Sequence, residues 1–147
     1  MFITPAFAPS PPTTIPLDLM ISIFLIEEGD IGMIIRERKT KETDIKVELE
    51  LYGKGESKIS TGVGFFDHML ESFSKHALVD LSVSCKGDTH IDDHHSVEDV
   101  GIAIGQALKS AIYPVSKVER FGSAAIVMDE TCVECDLDLS NRPFLMY

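Results

Sequence analysis

Along the 147-residue chain the spacing of apolar and polar positions changes period several times, and each change marks an element. Residues 44–51 set Ile45, Val47, Leu49 and Leu51 against charged neighbours, the alternation of a half-buried strand. An earlier strand starts at Ile34, and Gly53 and Gly55 close the pair. After Gly62 and Gly64 the period changes: Phe65, Phe66, Met69, Leu70, Phe73 and Ala77 recur at helical spacing and predict an amphipathic helix over 65–77. Residues 79–84 predict a further strand. Val97, Val100, Ile102, Ala103 and Ile104 then predict a long helix that opens near Asp92 and Asp93 and runs towards Tyr113, where Pro114 stops it. Strands over 123–128 and 131–139 finish the chain. Strands mixed with two helices imply an α+β fold, a sheet with both helices packed on one face.

Residues 1–32 fall outside this pattern. Pro5, Pro9, Pro11, Pro12 and Pro16 cluster ahead of the apolar run 19–26, and the first basic residue is Arg36. With no positive segment before it and acidic residues behind it, that run reads as neither an export signal nor a membrane span. It is expected to be an extension outside the fold, disordered or non-native, with Met33 an alternative start and the domain proper at 33–147. The balance of 13 basic against 24 acidic residues, a net charge of −11, excludes nucleic acid or an anionic membrane as the main partner, since both demand a basic footprint. Three cysteines with no pairing framework predict a reducing, cytoplasmic setting. Cys132 and Cys135 form a C-x-x-C pair, but on an alternating strand positions three apart face opposite sides, so the pair reads as structural.

The chemistry concentrates in Asp92-Asp93-His94-His95-Ser96-Val97-Glu98-Asp99, two imidazoles and four carboxylates in eight residues. On a helix His94 and Glu98 share a face and can pinch one cation, while His95 points about 100° away. For Asp92, Asp93 and Asp99 the alternative is an acidic complement to the helix dipole. His68 and His76 lie near one side of the first helix and, taken alone, read as surface or satisfied core histidines. Beside the His-His-x-x-Glu group, His68 becomes a ligand candidate; Asp67 and His90 read as capping or solvated. Mixed imidazole and carboxylate ligation suits Zn, Mn, Fe or Ni rather than Ca. Arg120 and Arg142, at strand ends in an acidic chain, have the forked donors that an oxyanion clamp requires. Glu42, in Thr40-Lys41-Glu42-Thr43, reads equally as a general base or a turn residue.

Several blocks in order carry a family resemblance: Arg38-Lys39-Thr40-Lys41-Glu42-Thr43, Thr61-Gly62-Val63-Gly64-Phe65-Phe66-Asp67-His68-Met69-Leu70, Gly87-Asp88 with Ile91 through Asp99, Arg120-Phe121-Gly122, Met128-Asp129-Glu130, and Arg142-Pro143. Over residues 36–147 the chain resembles the imidazoleglycerol-phosphate dehydratases. The resemblance implies a lyase of histidine biosynthesis that dehydrates imidazoleglycerol phosphate, a small phosphate substrate, to imidazole acetol phosphate. It implies that His68 and His95 hold one Mn²⁺ and His94 and Glu98 another, with Glu42 and Glu98 as catalytic carboxylates. Substrate contacts are implied for Glu42, His68, His76, His94, His95, Glu98, Arg120 and Arg142, the arginines taking the phosphate. The implied fold is one half, plus two further strands, of a duplicated two-half α/β sandwich resembling the ribosomal protein S5 domain 2-like fold. The implied assembly is a homo-oligomer, trimers joining into about 24 chains. Family members carry a second His-His-x-x-Glu helix, so the expectation is a C-terminally truncated domain that supplies part of each site. The alternative is a non-catalytic metal-binding fragment.

Overall fold

The computed structural model describes residues 32–116 and 118–146, so the reading of 1–32 falls, Gly32 apart, outside the described residues. Strands β1 (Ile34–Lys39) and β2 (Thr43–Glu50) form an antiparallel hairpin, β3 (Ser57–Ser60) leads into helix α1 (Gly64–Ala77), and β4 (Asp80–Gly87) leads into helix α2 (His94–Ile112). These four strands make one sheet in the order β1-β2-β4-β3, with β4 antiparallel to β2 and parallel to β3. The alternation in β2 has its expected meaning. Ile45, Val47 and Leu49 are buried while Asp44 and Lys46 are exposed, and Leu81, Val83 and Cys85 of β4 join the same buried face. Val100, Ala103, Ile104 and Ala107 of α2 cover that face, and Phe66 and Leu70 of α1 pack beside them. Both helices therefore lie on one side of the sheet. The short β3 was not marked by the sequence pattern, because Ser-Lys-Ile-Ser offers only one apolar position.

Strands β5 (Phe121–Met128) and β6 (Thr131–Asp138) form a separate two-stranded sheet. Its geometry repeats the first hairpin: Arg38 faces Ile45 in one and Ile126 faces Val133 in the other, a shift of 88 at both positions. The sequences agree in the same frame, with Glu42-Thr43 matching Glu130-Thr131 and Leu49-x-Leu51 matching Leu137-x-Leu139. Cover is what differs. Leu49 is 0% exposed beneath α2, whereas Leu137 is 45% exposed and all of β6 lies open. Cys132 and Cys135 are free and exposed on this strand.

Candidate active site

The parallel pairing of β3 with β4 puts the carboxyl ends of both strands at one end of the sheet, and both helices start there. The turn between β1 and β2 lies at the same end, since Thr43 at the start of β2 faces Gly87 at the end of β4. Three segments thus carry the candidate side chains to the same end of the sheet. Glu42 comes from the β1–β2 turn, His68 from the start of α1, and His94, His95 and Glu98 from the start of α2.

Local interactions fix each segment. Asp67 accepts the backbone N–H of Thr61 at 2.9 Å and the Thr61 hydroxyl, so the residue beside His68 locks the loop that opens α1. Asp67 thus pins the loop ahead of the helix rather than capping it, since the start of α1 has no side-chain cap. At Gly62, where φ is +85°, the backbone comes close enough to Thr89 that an added Cβ would touch its methyl group, which brings the two helix-opening loops together. Gly87 has no side chain because Ser96, wholly buried in the first turn of α2, packs where a Cβ would stand. Asp99, one turn further on, accepts the Thr43 hydroxyl at 2.6 Å and two donors of Arg38 at 2.7 and 2.9 Å. The Thr43 hydrogen bond, helped by Arg38, holds the Asp99 carboxyl below the usual carboxylate range. The helix is bolted to the sheet through Ser96 and Asp99, and its histidines occupy the positions between loop and solvent.

His94 and His95 do not diverge as the helical period implies. Their ring centroids are 4.1 Å apart, and each ring meets a carboxylate of the preceding loop. His94 Nδ1 lies 2.8 Å from Asp92, and the same Asp92 oxygen accepts the His94 backbone N–H at 2.7 Å. Those two hydrogen bonds, the backbone one foremost, lower the Asp92 pKa. His95 Nδ1 lies 3.0 and 3.1 Å from the two oxygens of Asp88. Asp88 raises the His95 pKa, and the more distant charge of Glu42 adds to it, which places Glu42 in the same electrostatic neighbourhood. The Asp88 N–H also bonds the Glu42 carbonyl at 3.1 Å. Pattern reading gave Asp88 no role and weighed Asp92 only as part of the acidic run or a complement to the helix dipole, not as a partner of His94. A carboxylate seven residues ahead of a histidine across a turn leaves no periodic signal.

The chemistry of this donor set fits a divalent cation: an exposed and a half-buried imidazole, each with a carboxylate on Nδ1, and Glu98 one turn from His94. The donors are nevertheless incomplete within one chain. Among the described residues no three His, Cys, Asp or Glu side chains stand close enough to hold an ion. His76, at the other end of α1, lies about 12 Å along the helix from His68 and is exposed.

Arg120 and Arg142 stand apart. Arg120 donates to Asp138 at 2.8 and 3.4 Å and lies over the Phe121 ring at 4.9 Å; Asp138 raises its pKa. The charge of Arg142 reaches the same carboxylate. Both arginines neighbour Tyr113, the residue after α2: its hydroxyl accepts the N–H of Asn141, next to Arg142, at 2.9 Å, and Arg120 lies within electrostatic reach of it. From His94 to Tyr113 the helix runs about 28 Å, so in one chain the histidines and the arginines occupy opposite ends. Among the described residues no helix is long and apolar enough to cross a membrane.

A family sequence model described as imidazoleglycerol-phosphate dehydratase matches residues 61–147. The imidazoleglycerol-phosphate dehydratase of Sulfurimonas denitrificans is 70% identical over 115 residues, covering 78% of this chain and 60% of that protein. The one from Campylobacter curvus is 69% identical over 110 residues, covering 75% of this chain and 56% of its own. Among solved structures, imidazoleglycerol-phosphate dehydratase from Staphylococcus aureus aligns with a TM-score of 0.67 at 34% identity, over 77% of this chain and 61% of that one. The enzyme from Pyrococcus furiosus, in complex with (S)-C348, aligns with a TM-score of 0.62 at 37% identity, over 74% and 56%. The chain therefore spans about 60% of the length of the curated relatives it matches.

Proposed function

Because the chain belongs to the imidazoleglycerol-phosphate dehydratase family, we propose that the histidine end of its sheet supplies part of the active site of a histidine-biosynthesis dehydratase, converting imidazoleglycerol phosphate to imidazole acetol phosphate and water. The observation that carries this reading is the delivery of Glu42, His68, His94, His95 and Glu98 to one sheet end by three separate segments. His68, His94, His95 and Glu98 are the donors for Mn²⁺, the ion the family resemblance implies. When bound, that ion supplies Lewis-acid charge that eases loss of the ring N–H proton of the substrate imidazole.

The remaining steps fall to the chain. The substrate C–H to be broken is not acidified by a carbonyl, so electrons enter from the deprotonated imidazole and expel the hydroxyl on the carbon beside the ring. Glu42, exposed at the turn, is placed to take the proton from the next carbon, and the resulting enol becomes the ketone. Arg120 and Arg142 bind the phosphate through charge-assisted donors, with Asp138 orienting the Arg120 fork until the phosphate arrives. Since one chain keeps its arginines by Tyr113, at the far end of α2 from its histidines, a site using both draws them from different copies in a cytoplasmic homo-oligomer.

Ketone formation from imidazoleglycerol phosphate, measured after removal of any host dehydratase, tests the proposal. A polypeptide continued to the length of the relatives turns over with Mn²⁺, and the 147-residue chain alone shows negligible turnover. In the longer enzyme Glu98→Gln lowers kcat and is partly rescued by excess Mn²⁺. Arg120→Ala raises KM about tenfold and is not rescued. Robust turnover by the 147-residue chain alone, or turnover independent of metal, overturns the reading.

A further inference from the structure

Two carboxylates in the loop between β4 and α2 each face the inner nitrogen of one histidine. Asp88 places both oxygens 3.0 and 3.1 Å from His95 Nδ1, and Asp92 places one 2.8 Å from His94 Nδ1. An ionised carboxylate only accepts, so a neutral ring held this way carries its hydrogen on Nδ1 and its lone pair on Nε2. Neither Nε2 has a hydrogen-bond partner among the described residues, and the His94 and His95 side chains are 63% and 32% exposed. The carboxylates are themselves held. The Asp88 N–H bonds the Glu42 carbonyl, its own carbonyl accepts the Ile91 N–H at 2.7 Å, and the Asp88 side chain is only 15% exposed. Asp92 is tied to the helix by the His94 N–H at 2.7 Å.

We propose that Asp88 and Asp92 are positioning residues that lock His95 and His94 in the Nδ1–H tautomer and leave each ring a bare Nε2 lone pair for a divalent cation. The cation rests on the function proposed above; the tautomer lock does not. Asp88 acts as the stiffer of the two, because its carboxylate is the more enclosed and grips with both oxygens. Its anchorage to the Glu42 carbonyl also makes the β1–β2 turn and the His95 ring a single rigid unit.

The long-range ¹H–¹⁵N spectrum of the ¹⁵N-labelled chain, recorded without metal at pH about 9 where imidazoles are neutral, reports which ring nitrogen bears the hydrogen. The wild type shows Nδ1–H at both His94 and His95. Asp88→Asn offers an NH₂ donor in place of one oxygen and shifts His95, and only His95, towards the opposite tautomer; Asp92→Asn does the same to His94 alone. Mn²⁺ titrated at pH about 7.5 broadens both rings in the wild type, and the concentration required rises about tenfold in Asp88→Asn. The crossed specificity of the two variants separates positioning from general loss of structure, which would move both rings together. An unchanged His95 tautomer in Asp88→Asn overturns the positioning role. An Nδ1–H wild type whose rings ignore Mn²⁺ overturns the donor role.

Discussion

Asp99 is 13% exposed on α2, and its charge is distributed over Thr43, Arg38 and, at 3.4 Å, Thr40. Because its folded pKa lies below that of the unfolded chain, it stabilises the fold at pH values above the unfolded pKa of about 3.9. That contribution is lost as pH falls below about 3.9 towards the folded value. The melting temperature of the wild type should therefore drop more steeply below pH about 4 than that of Asp99→Asn, and Asp99→Ala should cost about 2 kcal/mol at neutral pH. Equal acid slopes for the two would show that Asp99 is not the linked group. At this scale the sharing of one helix face by His94 and Glu98 is legible in the sequence, because period alone decides it. The pairing of the His94 and His95 rings with carboxylates is not, because those carboxylates lie outside the helix.

Two hairpins of one register but unequal cover set up a comparison between elements. Leu49 and Leu137 occupy matching positions, yet only Leu49 is enclosed. In the 147-residue chain Leu49→Ala should destabilise by about 2–5 kcal/mol and Leu137→Ala by less than about 1 kcal/mol, read from urea denaturation midpoints. Similar losses at both sites would mean that β5–β6 is buried in solution after all. Strands and helices with sustained periodicity were readable from the sequence, down to the stop at Pro114. The four-residue β3 was not, and alternation in β6 reports a face suited to burial without saying whether anything covers it. A self-comparison at a shift of 88 is the signal that would have tied β6 to β2, since Glu-Thr and Leu-x-Leu recur in frame. On the helix layer Phe65 is 77% exposed and Met69 47%, so the apolar face of α1 predicted from periodicity is wider than the sheet can cover.

At the scale of the whole molecule the histidines open α2, a helix about 28 Å long, and the arginines neighbour Tyr113 at its other end, in a chain of net charge −11 where few cations can serve a phosphate. Sequence reading identified both groups but could not show their separation, which depends on β5–β6 returning to Tyr113 rather than to the start of α2. If one reaction uses both groups, each site is shared between copies. The most direct test is to co-express the full-length Glu98→Gln and Arg120→Ala variants under different tags and to purify the mixed oligomers on both. Mixing at random leaves about one quarter of the sites with both native residues, so with substrate well below KM and no excess Mn²⁺ dehydratase activity should return to about one quarter of wild type, from parents at about one tenth or less. Mixed oligomers no more active than the parents would contradict the account, because they would place Glu98 and Arg120 of the same chain in the same site.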